Sequence, residues 1–219
     1  MFDLVSDDEL RRRRAVARSN RLIEDHRRAN VAHNDVWWRA GKSWTPGDEA
    51  LAAEMRAARA VHDATFDETI YAPISAYLES QYVRRYPSLE RGEPYAVLIL
   101  SWEAWFPDEW RRADKWWSRA STKDMILRTM AGQGVTEEHR ETVEGLLLSA
   151  VSGPYRCKDW RYSAVARMID SENLRAGLDQ IASGADEDAS LRAQFVLSRL
   201  ENRALSVNIR SYGNWLAQQ

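Results

Sequence analysis

Cysteine is almost missing from this chain of 219 residues: Cys157 stands alone. One cysteine excludes an intrachain disulfide and any four-cysteine metal site, and so sparse a use points to a reducing compartment. Long apolar runs are missing as well. The longest, 96–100, is far below the about 20 residues that a bilayer-spanning helix needs. The N-terminus, MFDLVSDDELRRRR, sets acids ahead of bases and has no apolar stretch, which does not read as a secretion signal. Together these absences predict a cytoplasmic protein with no membrane partner. A glycine-rich phosphate loop, a G-x-S-x-G turn, a dinucleotide fingerprint and zinc-ligand spacing are absent too, so no cofactor or metal is called for and no familiar enzyme class is indicated.

Lysine is scarce. Of 31 basic residues only Lys42, Lys115, Lys123 and Lys158 are lysines, leaving 27 arginines. Arginine supplies planar donors suited to pairing with carboxylates at interfaces. The net charge of −2 gives no overall attraction to nucleic acid or an anionic surface. A content of 44% hydrophobic and 29% charged residues is that of an ordinary globular chain, long enough to bury a real core.

Tryptophan is plentiful. Five of the ten lie in 101–119, SWEAWFPDEWRRADKWWSR, and the rest of the chain reads as organised around that stretch. Ahead of it, 95–102 is apolar nearly all round, which suits a buried helix. Pro107 opens a second helix, with Asp108 and Glu109 at its positive end. Trp110, Ala113 and Trp117 share one face of that helix. Trp116 falls about 100° away, beside Arg112. A tryptophan among arginines off the apolar stripe has the character of a protein–protein anchor or a base-stacking platform, whereas the other rings suit core filling.

The remaining chain divides into helices. Ser6, Asp7, Asp8 and Glu9 form a capping pattern that opens a long first helix to about Trp38. Thr45-Pro46 and Gly47-Asp48-Glu49 lead into a second through 50–66. Pro73 begins or kinks 74–86, Pro87 ends it, and Arg91-Gly92-Glu93-Pro94 reads as a turn. Later starts fall at Ser121, Thr136, Ser171 and Asp186, with helix over 158–169 and a last helix over 204–216. No strand of alternating pattern occurs. The expected fold is all-α: one domain, 1–219, with long N-terminal helices over 1–92, a Trp-rich junction at 93–120 and stacked antiparallel helix pairs over 121–219.

Val165, Ile169 and Leu174 are matched 31 residues later by Val196, Leu200 and Leu205, and Asp170-Ser171 by Glu201-Asn202. A period of that length marks an α-solenoid, and the antiparallel helix pairs of any bundle give the same pattern in two copies. With its EGLLLSA, DWRYSAVARM, LRAGLDQ and RAQFVLSRLE segments, 121–215 resembles the HEAT-like helical-repeat proteins of bacteria. The resemblance implies stacked helix pairs and, for some of that group, service as immunity proteins that neutralise a toxin.

Three polar patterns carry candidate chemistry. Ile23, His26, Asn30, His33 and Trp37 step along one stripe of the first helix; the histidines could ligate a metal with His62 and Asp63 or Asp67, or form a hydrogen-bonded stripe. Arg21/His26 and Arg28/His33 fit an Arg-x4-His spacing that resembles the active-site motif of HEPN-type ribonucleases, in which His would act on the 2′-hydroxyl and Arg on the phosphate. The polar residue that follows the family's arginine is replaced by Leu22 and Ala29. Arg11 through Arg14, with Arg18, Arg21, Arg27 and Arg28, make the same helix basic, a grip for RNA phosphates or an acidic partner, or a solvated face. Finally, Tyr155, Arg156, Asp159, Trp160 and Arg161 gather on one interhelical tract, residue types enriched at binding hot spots. The reading that follows is a non-catalytic protein-binding protein of the immunity or inhibitor type. Its binding residues would be Trp116, Arg112, Tyr155, Arg156, Asp159, Trp160 and Arg161. The alternative is a HEPN-like ribonuclease or RNA-binding protein.

Overall fold

The computed structural model describes residues 1–79, 88–114 and 118–218. The described residues form eleven α-helices and two 3-10 turns, with no strand. After a 3-10 turn at Phe2–Val5 come α1 (Glu9–Arg39), α2 (Glu49–Asp67), α3 (Tyr71–Glu79), α4 (Ser88–Trp105), α5 (Pro107–Arg112), α6 (Arg119–Gln133) and α7 (Glu137–Ser152). A second 3-10 turn at Asp159–Arg161 leads to α8 (Tyr162–Ala166), α9 (Glu172–Ala182), α10 (Glu187–Glu201) and α11 (Ile209–Leu216).

Side chains set most of these starts. The carboxylate of Asp8 accepts from the amides of Leu10 and Arg11, Asp48 from Leu51, Ser171 from Leu174 and Asp186 from Ala189, each satisfying a donor that the helix cannot. The start expected at Ser121 lies at Ser118, whose hydroxyl accepts from the amide of Ser121. Over 158–169 the continuous helix expected is a 3-10 turn followed by the five residues of α8, and Lys158 stays outside both with a left-handed φ of 70°. The last helix begins at Ile209 instead of 204, on a capping box between Asn208 and Ser211.

The expected turn at 91–94 is instead the inside of α4. Gly92 explains the misreading. A Cβ there would stand 2.5 Å from Cβ of Tyr77 and 2.7 Å from the carbonyl of Pro73, so the glycine lets α4 lie against α3. Pro94 sits inside the same helix. Helix 74–86 is seen as far as Glu79; its expected end, with Pro87, lies outside the described residues.

One apolar core runs from Leu4 to Leu200. It is built from the inward faces of α3, α4, α6, α7, α8, α9 and α10, with Trp102 and Trp110 edge to face at 5.1 Å. α9 and α10 pack against each other, α7 against α4, α9 and α10, and α6 against α8. Val165, Ile169, Leu174, Val196 and Leu200 are all buried, but Leu205, the last partner of the repeat, is exposed. A smaller cluster of Trp160, Phe195 and Tyr212 seats α11. α1 and α2 form an antiparallel arm in which α2 buries only Met55.

Candidate functional site

The tract from Pro154 to Tyr162 crosses between α7 and α8, and its polar groups are tied into the body. Lys123 on α6 is 2% exposed. Its ammonium donates to Asp159 Oδ1 at 2.5 Å and to Glu103 Oε2 of α4 at 2.9 Å, and lies 5.6 Å from the ring centre of Tyr162. The other oxygen of Asp159 accepts from the amide of Arg156 at 2.6 Å, and Arg156 Nη1 donates to the carbonyl of Glu103 at 2.9 Å. Arg161 Nε donates to Asp124 Oδ1 at 2.6 Å while its guanidinium covers the Trp160 ring at 4.3 Å. Desolvation, followed by the nearby Glu103 and Asp159 charges, pushes the Tyr162 hydroxyl far above the usual tyrosine range, so it stays protonated. Two carboxylates on one buried ammonium form an ion cluster that fastens three segments, α4, α6 and the tract, in one arrangement.

Beside this cluster an open cleft of about 500 Å³ lies between α4–α5 and the tract. Ala104, Pro107, Trp110 and Pro154 supply apolar wall; Glu103, Arg111 and Arg156 are its charged groups, with Cys157 at its exposed edge. Tyr155 is 45% exposed and stacks on Tyr212 at 5.9 Å and 9°. Partial burial, then Tyr212 and the Asp159 charge, raise its hydroxyl to about 12.

The structure thus divides the binding residues expected from sequence. Tyr155 and Arg112 are exposed, and Arg156 and Arg161 are half-buried and bonded inward. Asp159 and Trp160 are both 6% exposed and serve as the tract's inner fastening, so neither presents a surface to a partner. Trp116 and Trp117 lie outside the described residues.

On the arm, the histidine stripe does face α2. His26 is 1% exposed, and its Nδ1 donates to Thr65 Oγ1 at 3.2 Å, because that hydroxyl spends its own proton on backbone carbonyls. His62 lies between the two histidines of α1, with ring centres 4.7 Å from His26 and 5.2 Å from His33. The His62 ring is tilted by 53° to His26 and by 32° to His33, and no group of three or more His, Cys, Asp or Glu among the described residues could hold a metal ion. His33 is 7% exposed, stacks on Trp44 at 5.7 Å, and borders an open hollow of about 380 Å³ with Arg59, His62 and Asp63. Desolvation first, then the His62 charge, lowers both His26 and His33, so both are neutral at pH 7. Arg28 and Arg21 are exposed, Arg28 pairing with Asp25. Five residues of helix set each arginine about 140° round from its histidine. The structure does not bring the members of either Arg-x4-His pair together.

Lys123, Glu103 and Asp124 escaped the reading of the sequence. A signal was present: Lys123 shares the stripe of Ile126, Leu127 and Met130, all fully buried, and a lysine on an apolar stripe demands buried partners. No family model matches this chain, and no curated protein and no solved structure is detectably similar to it.

Proposed function

We propose that this chain is a cytoplasmic, non-catalytic protein-binding protein of the immunity or inhibitor type. It grips an effector protein at the cleft beside the 154–162 tract. The supporting observation is preorganisation: the Lys123 cluster locks Asp159 and Arg156 from within and leaves Tyr155 exposed on the tract whose Pro154 and Arg156 line an apolar-walled cleft together with Arg111. A rigid aromatic and fixed guanidinium groups lose little conformational freedom when a partner docks, which favours affinity. The left-handed Lys158 adds to this, because strained backbone is held where a surface must keep one shape. The arginines suit an acidic segment flanked by apolar residues. The resemblance of 121–215 to HEAT-like bacterial proteins supports the immunity role.

The test is affinity purification from the native host, wild type beside the double variant Tyr155→Ala/Arg111→Ala. One stoichiometric protein should be retained by the wild type and lost by the double variant at unchanged circular dichroism. Equal retention by both would remove the cleft from the account, and no retained protein with the wild type would remove the binding function.

A further inference from the structure

Residues 11–23 of α1 hold six arginines and no acid, and the structure sorts them. Arg12 turns inward, 8% exposed, where Nε donates to both oxygens of Glu109 at 3.0 Å and the guanidinium covers the Phe106 ring at 3.8 Å. Arg13 pairs with Glu9 at 2.5 Å. The others fall in line: Arg11, Arg14, Arg18 and Arg21 step by three, four and three residues, and Arg28 follows seven further on. All five are exposed, on the side of α1 turned away from buried Ser19, Ile23, His26 and His33. Arg11 is shared with Asp8 at 3.6 Å, and Arg28 pairs with Asp25. Among the described residues Arg14, Arg18 and Arg21 have no ion-pair partner.

We infer that this arginine ridge, which winds about 100° round α1 between Arg11 and Arg28, binds the phosphodiester backbone of nucleic acid, at a face separate from the cleft. Arg11 to Arg28 covers about 25 Å of helix at 1.5 Å per residue. One strand of a duplex presents a phosphate about every 3.4 Å of axis, so successive ridge arginines meet a continuous row of charges in place of one anion. Guanidinium groups bond phosphate oxygens as a planar fork, and such contacts carry no base identity. Phosphates hold their spacing along any nucleic-acid sequence, whereas an acidic protein segment has to place its carboxylates residue by residue. The ridge acts although the chain is acidic overall, because salt screens beyond about 10 Å at 0.1 M while the ridge charges adjoin the ligand.

The experiment is fluorescence anisotropy of the full-length chain with labelled 20-mers, as duplex DNA, duplex RNA and single-stranded RNA, over a salt series. Saturable binding of at least one form is expected, with no sequence preference. For three neutralised phosphates, affinity falls roughly 40-fold between 50 and 200 mM salt. The triple variant Arg14→Ala/Arg18→Ala/Arg21→Ala, which changes only exposed side chains of a helix, loses nearly all of that dependence. Arg128→Ala, on α6, keeps it. Which 20-mer binds tells whether the backbone comes from DNA or RNA. No salt-dependent binding of any form overturns the inference, as does binding that survives the triple variant, or capture of poly-glutamate in preference to every nucleic acid.

Discussion

Lys123 is the residue on which the geometry of the site turns. It stands between Glu103 and Asp159 with almost no access to water. Removing one member of such a cluster leaves the others charged and buried, a loss of about 3–5 kcal/mol, far above the 0–1 kcal/mol of an exposed pair. Lys123→Met, which keeps most of the volume, is therefore expected to lower unfolding stability by that amount in urea titration. Arg140→Ala, which breaks a surface pair with exposed Glu137, should change it by less than about 1 kcal/mol. A Lys123→Met protein as stable as the wild type would show that the cluster is not fastening the tract. Gly92 offers a second case, where two effects oppose. Alanine gains about 1 kcal/mol of helix propensity over glycine. Its Cβ, however, would fall 2.5 Å from Tyr77 Cβ and 2.7 Å from the carbonyl of Pro73, and neither can swing aside. Gly92→Ala is expected to destabilise, and a gain in melting temperature would refute the close approach of α3 and α4.

At the scale of elements, the α1–α2 arm is the part least supported by core. Its two helices meet through His26, His33, His62, Phe66 and Trp44, and near its tip Arg39 of α1 pairs with Glu54 of α2. His26 and His33 are held below the ordinary histidine value, first by desolvation and then by the His62 charge, with Asp63 offsetting in part. The unfolded arm therefore takes up protons more readily than the folded one. Its stability is fully present above the ordinary value of 6.5 and is lost as pH falls below it, towards the depressed folded values. Amide exchange in 30–60, corrected for intrinsic rates, should accelerate between pH 7.5 and 5 while that of α7 and α10 does not. Equal behaviour of arm and core would contradict the histidine account.

Over the whole molecule, what could be read from sequence follows from the range of each interaction. Caps and periodicity are local, so the all-α class, the long first helix and the starts at Thr136, Ser171 and Asp186 were legible from a few neighbouring residues. Gly92-Glu93-Pro94 misled because the glycine answers to Tyr77 and Pro73 on another helix, a contact that no window around residue 92 contains. The same holds at the site. The 154–162 tract stood out by composition, but its division into an inner fastening (Asp159, Trp160) and an outer face (Tyr155) is made by Lys123 and Phe195, 36 residues away on either side of Asp159. The four consecutive arginines carried no face in sequence. Only the pairing of Arg12 with Glu109, 97 residues on, shows which of them turn outward.

The central claim is that the braced tract presents Tyr155, and α5 presents Arg111, to one protein partner. Its most direct measurement is calorimetric titration of the partner recovered from the host against the wild type, Tyr155→Ala and Arg59→Ala, the last a control on the arm. Hot-spot behaviour predicts a loss of about 2 kcal/mol or more, close to thirtyfold in Kd, for Tyr155→Ala and none for Arg59→Ala. Equal Kd values for all three proteins, each with wild-type circular dichroism, would contradict it.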